Sequence, residues 1–152
     1  MSAAPADVMR TWFEEVWNQG REATIDRLLA PDGVAHGLPG GDVRGPAAFR
    51  DVFHAFRGAF PDIRIVVERT VTEGDVVAVY CRVTGTHTGS SLGIPPTGQR
   101  IDFNGVVFAR VADGLVHEGW NCFDFLTMYQ QMGVVAANPG AAAGPAAAGA
   151  AG

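Results

Sequence analysis

Near the start of the chain, apolar residues recur at helical spacing. From Pro5 onward, Met9, Trp12, Phe13 and Val16 mark one side of a helix that Gly20 ends. A second short helix carries Ile25, Leu28 and Leu29, with Pro31 just beyond it. After a Gly-rich loop, Gly45-Pro46 opens a third, whose apolar stripe is Phe49, Val52, Phe53 and Phe56. Downstream the period shortens to two. Residues Ile63 to Val71 and Val76 to Thr86 read as strands joined through Glu73-Gly74-Asp75. Arg100 to Val111 and Leu115 to Phe123 form a second pair around Ala112-Asp113-Gly114. Gly89 to Gly98 reads as a loop, and a last helix runs from Leu126 to Met132 before Gly133.

Helices first and antiparallel strands afterwards predict an α+β fold, a strongly curved, mostly antiparallel sheet covered by the N-terminal helices. Such a sheet makes a cone around a pocket. No βαβ repeat and no phosphate-binding Gly loop interrupts the pattern. Residues 1–134 are expected to form a single domain. From 135 to 152 the chain is almost entirely Ala, Gly and Pro, and with nothing bulky to bury it is expected to be a disordered tail.

Charge narrows the partners. The formal net charge is −5 and no run of Lys or Arg occurs, so no electrostatic footprint for nucleic acid or an acidic membrane is present. The N-terminus has no charged-then-apolar leader, and no apolar stretch approaches membrane length, so a cytoplasmic protein is expected. Cys81 and Cys122 read as buried thiols in a reducing compartment, a bridge between strands staying open. The four histidines lack ligand spacing, so no metal is expected.

Several side chains could carry chemistry. Side-chain alternation puts Trp120, Cys122 and Asp124 on one face of the last strand. A carboxylate ending an apolar face is partly desolvated, which raises its pKa above about 3.9 and suits acid/base work. The competing reading makes Asp124 the cap of the final helix. His36 shares a face with Val34 and Leu38 and could donate to a substrate carbonyl, or be an ordinary core histidine. Arg82, between Tyr80 and Thr84 on its face, needs a partner such as Asp124 or Glu118. Asn104, beside Asp102, Val106 and Phe108, could present a neutral donor to an enolate, with Asp102 solvated. His87, next to the Gly-rich loop, is a substrate contact or a loop anchor. Trp12, Phe13, Phe53 and Trp120 read as core residues that double as pocket lining.

Larger motifs then add a resemblance. Phe60-Pro61-Asp62, Gly85-Thr86-His87-Thr88-Gly89, Gly93-Ile94-Pro95-Pro96-Thr97-Gly98, Glu118-Gly119-Trp120-Asn121-Cys122-Phe123-Asp124 and Gln130-Gln131-Met132-Gly133 occur in order. Together they resemble the SnoaL-like polyketide or ester cyclase family of the NTF2-like superfamily, over about residues 8 to 134. The resemblance implies cofactor-independent, intramolecular aldol closure of a lipophilic carbonyl or ester substrate. Asp124 exchanges the proton and His36 occupies a position where the family often has His. One departure is Gly119, where the family often carries His between the Glu and the Trp. Limonene-type epoxide hydrolases share the cone but need a carboxylate two residues after the Arg, where this chain has Thr84. An epoxide hydrolase or isomerase using the same pocket and acid/base group stays open as an alternative, and a non-catalytic binding or accessory protein is the alternative from another class. The superfamily's habit of pairing open sheets implies a homodimer.

Overall fold

The structure is a computed structural model and describes residues 2–137. The expected tail lies, from residue 138 on, outside the described residues.

Helix α1 spans Pro5–Thr11, with Pro5 in its first turn, where the missing N–H costs no hydrogen bond. The chain then widens into a π-helical segment, Trp12–Asn18, marked by Gln19 N–H donating to the Glu14 carbonyl at 2.9 Å. A five-residue repeat replaces the usual four here, so Trp12 and Trp17 come to the same side. Both indoles meet the Phe49 ring edge-on, at 5.1 and 6.2 Å. The helical spacing expected from the sequence located this face but not Trp17.

Helix α2 is Ala23–Leu28, and Leu29 already opens strand β1, Leu29–His36. A two-residue strand β2, Val43–Arg44, leads into helix α3, Gly45–Ala59, which buries Phe49, Phe53 and Phe56. Strands β3 (Arg64–Glu73), β4 (Val76–Thr86), β5 (Arg100–Ala112) and β6 (Leu115–Phe123) follow, and helix α4, Phe125–Gln131, closes the domain. The turn between β5 and β6 has Asp113 at φ 54° and Gly114 at φ 74°, the two positive values that a tight hairpin of right-handed twist requires.

The six strands form one curved, unclosed sheet in the order β2-β1-β6-β5-β4-β3. All neighbours are antiparallel except β1 and β6, which run parallel. The fold is thus α+β. Alternation decides its two faces. On β4, Val77, Val79, Cys81 and Val83 are buried; on β5, Ile101, Phe103, Val107, Ala109 and Val111 are. The helices cover this face, leaving Tyr80, Phe108 and Trp120 exposed on the other. Cys81 is a buried free thiol that burial pushes up to about 12, and Cys122 is an exposed free thiol. The expected burial of Cys122 is therefore corrected, and no bridge joins the two.

Candidate active site in the cone

Between the helices and the inner sheet face lies a cavity with about 810 Å³ of space not filled by atoms, counting its open mouth. Helix α1 and the π-helical segment contribute Met9, Trp12, Phe13 and Trp17, and α3 contributes Phe49, Val52 and Phe56. The sheet wall is Ala35, Val83, Phe103, Val107, Ala109, Gly119, Asn121 and Phe123, with Phe125 of α4 at one side. Asn121 is the one side chain of this wall that carries an amide, hydroxyl, acid or base. Its Nδ2 donates to the His36 main-chain carbonyl at 2.8 Å, leaving the carbonyl oxygen and a second N–H of the same amide.

Trp12 and Phe13 thus line the cavity as expected from the sequence. Phe53 is buried behind it, packed against Trp17 at 5.9 Å and outside the cavity wall. His87 is fully buried beyond the cavity, where Thr97 N–H donates to Nδ1 at 3.2 Å and the Thr97 hydroxyl lies 2.9 Å from the same nitrogen. That is the loop-anchor arrangement, and it fixes the proton on Nε2.

The remaining candidates lie on the outer face. On β6 the cavity side is Gly119, Asn121 and Phe123, so Trp120 and Cys122 point away and are exposed. Hydrophobicity suggested the opposite face because the inner one is built here from a glycine and an amide. His36, in register with Trp120, stacks on it at 5.8 Å. Its Nε2 lies 2.7 Å from Glu118 and its Nδ1 2.9 Å from Asp42. These carboxylates, Glu118 first, push its pKa up, so His36 is the centre of an ion-pair cluster rather than an imidazole among apolar neighbours. Leu38 and Val34 reach the cavity without it.

Asp124 caps α4, accepting from Thr127 N–H at 3.1 Å and from the Thr127 hydroxyl at 2.6 Å. These bonds hold its carboxyl below the usual carboxylate range, the reverse of the expected rise. It faces an outer cleft shared with Glu68, Arg82, Asp102, Asn104 and Thr127. Between that cleft and the cavity stand Phe103, Phe123 and Phe125, with Phe125 6.1 Å from each of the other two rings. Arg82 pairs with Asp102 instead of Asp124 or Glu118, through Nε at 2.8 Å and a second nitrogen at 2.5 Å. Arg82 lies opposite Asn104 and Asp102 opposite Thr84, so the pair reaches diagonally across β4 and β5 on one face. Asn104 donates to the Tyr80 hydroxyl at 2.8 Å, also outside the cone. The structure therefore brings Arg82, Asn104 and Asp124 together, but away from Trp12 and Phe13. Among the described residues, no group of three or more His, Cys, Asp or Glu is placed to hold a metal, and no helix is long and apolar enough to cross a membrane.

Asn121 was missed by the sequence reading. Its signal was the alternation itself: it shares a face with Phe123, and a polar residue among inward positions needs a reason.

Comparison with known proteins places this geometry. The chain is 29% identical over 123 residues to nogalonic acid methyl ester cyclase of Streptomyces nogalater, covering 77% of this chain and 89% of that one. It superposes with a TM-score of 0.78 on a candidate SnoaL-like polyketide cyclase from Jannaschia sp. CCS1, 27% identical, covering 86% and 92% of the two chains. IdmH of Streptomyces antibioticus, a candidate polyketide cyclase, is 33% identical with a TM-score of 0.74, over 87% of this chain and all (100%) of its own. The sequence model of the SnoaL-like polyketide cyclases matches residues 7–132. With that match spanning the whole cone, the chain belongs to the SnoaL-like polyketide cyclase family.

Proposed function

We propose that the protein closes a ring in a lipophilic, polyketide-like carbonyl or ester substrate folded inside the cone, without a cofactor. The observation that carries this reading is the cavity, whose wall is apolar and aromatic apart from a single amide. Confinement holds a nucleophilic carbon against its electrophile, and good orientation supplies up to about 7–11 kcal/mol of a barrier. In the closure, a C–H between two carbonyls gives its proton to a base. The enolate carbon attacks a second carbonyl carbon, whose π electrons become an alkoxide, and the alkoxide takes the proton back. Nothing is oxidised or reduced. The amide N–H of Asn121 suits the developing enolate oxygen.

Asp124 is the base in this proposal, as the resemblance implies. Its low pKa makes it a weak base, which serves only a C–H acidified by two flanking carbonyls. Its neighbours in sequence, Phe123 and Phe125, line the cavity while its own carboxyl faces the outer cleft, so this role requires the substrate's acidic C–H to reach past those rings. A binding protein that holds the same compounds without turnover is the second reading, favoured by the lack of any ionisable side chain in the cavity wall.

The test is exchange of solvent deuterium into a lipophilic β-keto ester above the buffer rate. Exchange present in the wild type and lost in Asp124→Asn, with ligand affinity kept, supports the acid/base reading. Equal exchange in both proteins assigns the proton to another group. Binding without exchange leaves the carrier reading.

A further inference from the structure

Among the glycines of the inner sheet face, Gly119 is the unusual one. It is buried, and its φ is not positive, so backbone freedom is not what requires glycine there. A Cβ built on it would meet nothing nearer than Val107 Cγ2 at 3.8 Å, an ordinary contact. Gly105 on β5 differs, because a Cβ there would overlap the Phe123 ring. A buried glycine with unstrained backbone and a single methyl within contact of a built Cβ has room on its remaining side, and Gly119 lines the cavity.

Its neighbours extend the gap. Gly119 is in register with Ala35 on β1 and with Ala109 on β5, and all three line the cavity. Adjacent strands lie about 4.8 Å apart, so the three small residues make a trough about 10 Å across. Asn121 follows on the same strand face, about 6–7 Å along the strand. A floor of one glycine and two methyl groups accepts the flat side of a fused ring system, and the amide at its margin suits a hydroxyl or carbonyl on the ring edge.

We propose that Gly119 is the specificity-determining residue of the cavity, setting the trough that admits ligands of several fused rings over smaller ones. This rests on the cavity being the ligand site, as proposed above. Filling the trough excludes large ring systems while sparing small ones that fit beside it.

The test uses full-length protein and two fluorescent phenols, 2-naphthol and 1-hydroxypyrene, with Gly119→Ala and Gly119→Leu as variants. Gly119→Leu is expected to weaken 1-hydroxypyrene by about tenfold or more while changing 2-naphthol less than about threefold, with Gly119→Ala between. Equal weakening of both phenols, or unchanged binding of 1-hydroxypyrene, overturns the assignment. Should Gly119→Leu lose its cooperative unfolding transition, Gly119→Ala decides: a selective loss of 1-hydroxypyrene of about threefold supports the trough, and none refutes it. A wild-type protein that binds neither phenol sinks the cavity reading itself, and this assignment with it.

Discussion

The Asn121 side chain donates to the main-chain carbonyl of His36 at 2.8 Å, so one hydrogen bond joins the inner wall of the cone to the strand whose imidazole lies outside it. Asn121 sits on the cavity side of β6, while the His36 ring stacks on Trp120 on the other side. Polar contact inside and ionic contact outside are thus one residue apart on the sheet.

Asn121→Asp keeps the shape and replaces the N–H with an oxygen facing that carbonyl. Apolar walls and the carbonyl both disfavour the charged form, so the new carboxyl titrates above its unfolded value. The variant is then closest to wild-type stability at acid pH and loses stability as pH rises through the folded pKa. We expect a deficit of about 1–3 kcal/mol near pH 8 that shrinks near pH 5, read by urea unfolding. A deficit independent of pH would show that the group is solvated.

His36 contributes to the stability of the wild type chiefly at acid pH. Its pKa is raised from 6.5 by Glu118 and then Asp42. Arg110, across from Glu118 on β5, is the neighbouring cation on this face. A raised folded pKa means that the stabilisation is complete below the unfolded value and is lost as pH climbs past the folded one. The urea midpoint of His36→Gln should therefore lag the wild type at about pH 5.5 and approach it at about pH 8.5. A gap that widens with pH would reverse the assignment.

Asp124 separates capping from chemistry by substitution alone. Asn caps about as well as Asp, whereas Ala removes the acceptor for Thr127 and costs about 0.5–2 kcal/mol. Thermal unfolding should show Asp124→Ala destabilised and Asp124→Asn nearly unchanged at neutral pH. Because the folded pKa is depressed, the stability Asp124 adds is present above its unfolded pKa and falls away in acid. The acid limb of the wild type should accordingly be steeper than that of Asp124→Asn. Identical limbs would argue against the cap's charge.

The outer sheet face bears on the expected homodimer. Ala78, Phe108 and Trp120 lie in register across β4, β5 and β6, and Phe108 and Trp120 are 48% and 38% exposed. The pairs Arg82–Asp102 and His36–Glu118 flank this row with both signs of charge, which a second copy can meet with its own. Light scattering should give a dimer mass for the wild type and a monomer for Phe108→Lys with Trp120→Lys. A monomeric wild type at micromolar concentration would remove the partner.

Local pattern determined much of this protein. Helical spacing of Phe49, Phe53 and Phe56, and the turn residues Asp113 and Gly114, are short-range signals, and α3 and the β5–β6 hairpin formed where they stand. The motifs from Phe60 to Gly133 carried the family. Alternation also divided β6 into two faces, but it could not say which was inward. That choice depends on what packs against each face, and here the inward face holds Gly119 and Asn121 while a tryptophan lies outside. The parallel pairing of β1 with β6 joins segments some 80 residues apart, as in His36 with Trp120, and no local signal reports it. That pairing sets His36 beside Glu118 and Asn121 beside the His36 carbonyl. Arg82 found Asp102 for the same reason, since cross-strand register, unlike side-chain type, exists only once the sheet is assembled.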